Sequence, residues 1–164
     1  MRRRQGFALL TSVGLLALTT SCAGSVEVTP PDPGADAPPA EALQACADLA
    51  TELPDELAGQ PSRPTAPEST LTAAWGDPAV IIVRCGVPRP ETLTASSQLV
   101  TVDGVDWFAE ELTAGYLFTA TGRAAYVEVT VPDDYAPEIG PVTELSPLVD
   151  AAIPELTDAA SESP

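Results

Sequence analysis

The side chains able to do chemistry in this 164-residue chain are chiefly carboxylates, three cysteines and seven arginines, because histidine and lysine are both absent. Without histidine, no Ser-His-Asp or Cys-His nucleophile can be assembled, and no His-based zinc or haem site. Without lysine, Schiff-base chemistry and a phosphate-binding loop of the Walker type are excluded. Nor is there a glycine-rich dinucleotide fingerprint. Catalysis would therefore rest on carboxylates or tyrosine. Adjacent acids occur at Asp133-Asp134 and Glu110-Glu111, and Asp103 lies near Asp106. Glycosidase chemistry needs two carboxylates facing each other across a cleft, which neighbours in a turn do not supply. Calcium needs several oxygens converging at DxDxDG-type spacing, and that spacing is missing. The expectation is a non-catalytic protein with no metal and no cofactor. That protein would be a binding or accessory domain of the envelope; the alternatives are a carboxylate-dependent hydrolase of cell-wall glycan and a purely structural accessory subunit.

Each cysteine has its own setting. Cys22 closes a leader in which Met1-Arg2-Arg3-Arg4 precedes an apolar stretch from Phe7 to Leu18. That stretch is shorter than the roughly 20 residues a membrane-spanning helix needs, so residues 1–21 read as a signal peptide. Leu18-Thr19-Thr20-Ser21-Cys22 resembles a lipobox, in which the thiol receives a diacylglyceryl group; Thr19 departs from the commoner aliphatic residue. Cys22 is thus the expected lipidation site, anchoring the chain on the outer face of the membrane. Ser21 and Ala23 also fit ordinary cleavage, which would give a secreted protein. The remaining pair, Cys46 and Cys85, is expected to form a disulfide in an oxidising exterior.

With three arginines in the leader and all 24 acids beyond it, the rest of the chain carries a net charge of −20. Such a surface repels phosphate backbones, so no nucleic-acid partner is expected. Against this background Arg84, Arg89 and Arg123 have two readings: each satisfies a neighbouring carboxylate, or they line a pocket for a small anionic ligand. An envelope protein is the other partner considered.

These groups must be positioned by a small domain. Residues 22–39 hold the anchor cysteine and a Pro/Asp-rich segment that reads as a linker. Residues 40–156 form one domain, and 157–164 a disordered tail. Leu43, Cys46, Leu49 and Leu53 recur at helical spacing, ending before Pro54. Residues 59–70 read as a loop. Val80-Ile81-Ile82-Val83 marks a buried central strand leading into Cys85. The Asp103-Gly104 pair between apolar runs predicts a two-residue hairpin. A second hairpin is expected around Gly122, its later strand alternating Tyr126 and Glu128 against Val127, Val129 and Val131. Ser146-Pro147 reads as the N-cap and first residue of a short C-terminal helix. The expected fold is α+β: an antiparallel sheet of four or five strands, a disulfide-tethered N-terminal helix and a short C-terminal helix.

The most distinctive stretch runs Ala74-Trp75-Gly76-Asp77-Pro78-Ala79-Val80-Ile81-Ile82-Val83-Arg84-Cys85-Gly86-Val87-Pro88-Arg89-Pro90. Together with Val105-Asp106-Trp107, Gly122-Arg123-Ala124-Ala125-Tyr126-Val127-Glu128-Val129 and Val131-Pro132, it resembles the domain-of-unknown-function 3515 family of actinobacterial secreted or lipid-anchored proteins. The resemblance extends from about Cys46 to Ile153. It implies a compartment and a host group, but no activity. Within the stretch, Trp75-Gly76-Asp77-Pro78 reads as a turn. Trp75 is expected to lid the core near the disulfide, with a ligand platform flanked by Asp77 as the alternative.

Overall fold

The computed structural model describes residues 24–32 and 38–156; Cys22, the leader and the tail lie outside the described residues. The chain order is β1 (Val26–Glu27), α1 (Ala40–Glu52), β2 (Glu56–Leu57), β3 (Gln60–Arg63), β4 (Thr65–Ala66), β5 (Thr72–Trp75), β6 (Ile81–Val87), β7 (Leu99–Val102), β8 (Val105–Leu112), β9 (Gly115–Thr121) and β10 (Tyr126–Val131), followed by a 3-10 turn (Asp133–Tyr135) and α2 (Ile139–Ala152). Eight strands form one antiparallel sheet in the order β2-β3-β5-β6-β10-β9-β8-β7. The fold class is the expected α+β, but the sheet is larger than the four or five strands read from the sequence. The added strands are β2, β3 and β5. They contain Pro61, Ala73 and Ala74, whose propensity for strand is poor, and they are drawn into the sheet by their neighbours. For the same reason β3 and β4 occupy residues read as a loop.

The β7–β8 hairpin turns at Asp103 and Gly104, with φ of 46° and 82°, both in the left-handed region the Asp-Gly pair tolerates. In β10 the burial alternates as expected, with Val127, Val129 and Val131 fully covered. Register carries that alternation across the sheet. Val100, Trp107, Ala120, Val127 and Cys85 form one row on the covered face. Leu99, Phe108, Thr119, Glu128, Arg84 and Thr72 form the matching row on the other face. Both helices reach the core: α1 through Ala42, Ala45, Cys46 and Leu49, and α2 through Val142, Leu145 and Val149. Leu43 is only half-buried, so two alanines rather than that leucine face the sheet.

Cys46 on α1 is bonded to Cys85 on β6, with Cα atoms 5.6 Å apart. The bond closes a separation of 39 residues, which stabilises the fold by about 4 kcal/mol in the chain-entropy description. Helix α2 opens at Ile139, well before Ser146, and holds Pro147 in its interior. Ser146 is therefore not an N-cap. Its buried hydroxyl donates to the Val142 carbonyl at 2.7 Å and accepts the Trp107 indole N–H at 3.0 Å. That bridge satisfies a buried Trp between sheet and helix. No helix among the described residues is long and apolar enough to cross a membrane.

The stretch read as a linker contributes to the domain. Val26–Glu27 pairs in parallel with Thr65–Ala66, and Val28 is buried.

Candidate functional site

The three arginines singled out in the sequence lie in three different places. Arg84 projects from β6 beside its register partner Glu128 on β10. Its Nε and Nη2 both donate to Glu128 Oε2, at 3.0 and 2.7 Å. Arg123, between β9 and β10, is 3% exposed. Its Nη1 donates to the Ile153 carbonyl at 2.8 Å, and its Nη2 to the Gly104 carbonyl at 2.9 Å and Asp150 Oδ1 at 2.6 Å. It ties the end of α2 to the β7–β8 turn. Arg89 is exposed beyond β6, beside Pro38, Pro39 and Tyr126 at a shallow cleft of about 410 Å3. The three guanidiniums do not share a cavity.

Trp75 is buried in the same apolar cluster as Cys46 and Cys85, and its indole N–H donates to the Pro54 carbonyl at 2.9 Å. Asp77 is exposed, joined to Pro78 by a cis peptide bond. Its carboxylate lies 3.7 Å from Arg63, an arginine outside the motifs that stand out in the sequence.

Arg63 ends β3. Nη1 donates to the Gly76 carbonyl at 2.8 Å and Nη2 to the Gly24 carbonyl at 2.6 Å. Its Nε is buried with no hydrogen-bond partner. Gly76 has φ of 93°, and a Cβ there would collide with the Tyr135 hydroxyl and meet the Ala79 carbonyl at 2.6 Å. Only glycine fits that corner. The Tyr135 hydroxyl itself donates to the Ala79 carbonyl at 2.6 Å. Its pKa is raised above 10.0, first by burial and then by the Asp134 and Asp77 carboxylates.

Beside Arg63 lies a groove of about 600 Å3. It exists because β3 pairs with β5 at only two positions, Ser62 with Trp75 and Arg63 with Ala74. Beyond them the chain leaves the ladder, so Thr72 and Ala73 are flanked by the segment 64–71. One wall is the turn after α1 at Leu53, Pro54 and Asp55; the other carries Thr65, Glu68, Ser69 and Thr70. Thr65 and Thr72 hydroxyls bond each other at 3.1 Å, and Ser69 Oγ accepts the Leu71 N–H at 3.1 Å, leaving its own proton to donate. A hydroxyl both donates and accepts, whereas Asp55 and Glu68 only accept when ionised. Arg63 turns both terminal nitrogens toward backbone carbonyls. The lining therefore suits a neutral hydroxyl-bearing ligand better than a phosphate or carboxylate. The sequence signal for it is a density of hydroxyls, with Ser62, Thr65, Ser69, Thr70 and Thr72 all within eleven residues.

A small α+β domain, with a helix locked by a disulfide to the middle of an eight-stranded sheet, is the class that these elements define. A family model described as "Protein of unknown function (DUF3515)" matches residues 6–157, and the chain belongs to that family. No curated protein and no solved structure matches the chain.

Proposed function

We propose that this chain is a non-catalytic cell-envelope domain, exported and held on the outer face of the cytoplasmic membrane by a lipid on Cys22, that binds a neutral hydroxylated segment of envelope glycan. The groove beside Arg63 is the observation that carries the reading: it is roomy, rich in hydroxyls and, among the described residues, lined by no free cation. The anchor rests on the basic-apolar leader and the lipobox resemblance. The Cys46–Cys85 bond supports export, because such bonds persist in oxidising compartments. Gly24, whose carbonyl receives Arg63, is two residues from Cys22, a reach of about 7 Å at full extension. A lipid on Cys22 would hold the groove corner at the membrane surface rather than at the end of a spacer.

Two measurements test this. Mass spectrometry of the mature N-terminus should find acylated Cys22, whereas a free N-terminus at Gly24 overturns the anchor. Calorimetric titration with purified glycan fragments should show binding that weakens about tenfold in Ser62→Ala/Thr70→Ala, the loss of a hydrogen bond or two. Both side chains are exposed, so the fold should survive. Unchanged affinity overturns the groove. Asp55 and Glu68 on the same groove favour one second reading, a glycan hydrolase. Both are exposed, whereas an acid catalyst of this kind works in dry surroundings. Release of reducing ends that disappears in both Asp55→Asn and Glu68→Gln would establish that reading instead.

A further inference from the structure

The opposite end of the sheet carries a different feature. Among the described residues, strand β7 is the last in the order, with no strand on its outer side. Leu99 and Val100 are 41% and 47% exposed. They are also where two cross-sheet rows stop: Val100 ends the row of Trp107, Ala120 and Val127, and Leu99 ends that of Phe108 and Thr119. The turn at Asp103-Gly104 joins Val102 to Val105, and the pair that closes such a turn exchanges both ladder bonds. Alternation then aims the N–H and C=O of Leu99 and Thr101 away from β8. The edge thus presents unpaired backbone groups between two exposed aliphatic side chains, the arrangement that accepts an added strand.

We propose that β7 is a docking edge for an extended basic segment of a partner protein, which adds a strand to the sheet. Charge selects this occupant. Asp103, Asp106 and Glu111 are exposed around the edge, with Glu110 half-buried among them. Asp106 and Glu110 meet only hydroxyls, Thr101 at 2.6 Å and Thr92 at 2.6 Å. A second copy of the exported chain would bring the same acids and a net charge of −20 against itself. A strand with lysine or arginine alternating with aliphatic residues would continue the truncated rows and neutralise the acids. Six strand steps separate β3, at the groove, from β7, about 29 Å at the usual spacing, so both ends can be occupied at once.

The test uses the exported chain with its disulfide intact and a short synthetic peptide alternating valine and lysine. Fluorescence anisotropy should show binding that weakens with salt, and a valine–glutamate peptide should not bind. Leu99→Pro removes an outward N–H and leaves the β7–β8 ladder intact, and should weaken binding by about tenfold or more. Val100→Lys, at an exposed position, places a like charge on the edge and should weaken it similarly, so one variant stands in if the other misfolds. Hydrogen exchange should slow at Leu99 and Thr101 when peptide is present. Equal binding by wild type and both variants overturns the proposal, since it would mean the peptide coats the acidic surface at large. So does a wild-type dimer in sedimentation that Leu99→Pro dissolves, which would assign the edge to a second copy.

Discussion

Each end of the sheet is fastened by an arginine that grips backbone carbonyls, one buried and one half-buried, and the two are fastened differently. Arg123 links α2 to the β7–β8 turn. Its side chain is 2% exposed, and both terminal nitrogens are filled by the Ile153, Gly104 and Asp150 carbonyls and the Asp150 carboxylate. Arg63 links the N-terminal segment to the β3–β5 corner. It also grips two carbonyls, but its nearest carboxylate, on Asp77, is 3.7 Å away and 72% exposed, and its Nε is buried without a partner. Arg123 is almost wholly buried, whereas beside Arg63 the structure opens into the groove. Folded chains leave few buried polar groups unpaired, and those few gather where packing serves something besides stability. The Arg123 latch reads as architecture and the Arg63 corner as a place where stability has been given up for access; the other unpaired buried atom, Thr119 Oγ1, lies on β9 away from the groove.

The comparison presumes a rigid sheet between the two ends, and the disulfide on β6 supplies the largest part of that which can be removed without touching either arginine. Cys46→Ala/Cys85→Ala should lower stability by about 4 kcal/mol. Chemical denaturation read by both fluorescence and backbone circular dichroism should give one coincident transition, shifted down as a whole. Two separated transitions would mean that the ends unfold independently and cannot be compared on one scale.

The next effect distinguishes the arginines directly. Arg123→Met strands the Gly104 and Ile153 carbonyls and frees Asp150, at a cost of about 3 kcal/mol and a fall in Tm of about 10 °C. Arg63→Met also loses two carbonyl contacts, but removes an N–H that was already unpaired, so the cost should be about 1 kcal/mol. Thermal unfolding of the two variants side by side measures the gap. Equal losses would erase the distinction between latch and corner.

Legibility in the sequence follows the same division. Around Arg123 local signals agree with the fold: the Asp-Gly turn, the alternation in β10 and the β-branched run of β6 all place strands where they are found. The Cys46–Cys85 pairing was equally readable, because Cys22 has a separate setting. Around Arg63 the signals conflict. Pro61, Pro64 and Pro67 with intervening Ser and Thr look like a loop, and β3 and β5 become strands only because a neighbouring edge accepts them. Val26 and Val28 flanking Glu27 gave a faint alternation, hidden within a Pro-rich stretch. Ser146-Pro147 misled for another reason: the serine is spent on Trp107, a contact 39 residues distant that no local pattern records. Of the arginines that stand out in the sequence, Arg84 and Arg123 are paired with acids and Arg89 is exposed; Arg63, at the groove, lies in unremarkable sequence.

The smallest effect sharpens the comparison at the Arg63 corner alone. Gly76, whose carbonyl receives Arg63, lies against the Tyr135 hydroxyl, which donates to the Ala79 carbonyl. Ionising Tyr135 would remove that donor in a partly dry site facing Asp134 and Asp77, and so its pKa in the folded chain is raised. The unfolded chain then gives up the proton first as pH rises. The stability that Tyr135 contributes is complete below 10.0 and is lost as pH climbs through the raised value. Tyr135→Phe should therefore cost about 1 kcal/mol at neutral pH. The gap between wild type and variant should narrow in strongly alkaline solution. Denaturation midpoints of both proteins measured from neutral to alkaline pH give the curve. A gap that stays constant would show that the hydroxyl makes no pH-dependent contribution and that the corner's backbone is held by Gly76 and Arg63 without it. A gap that closes for Tyr135→Phe but is unaltered in an Arg123→Met background would place the titrating group at the open corner and leave the closed one untouched.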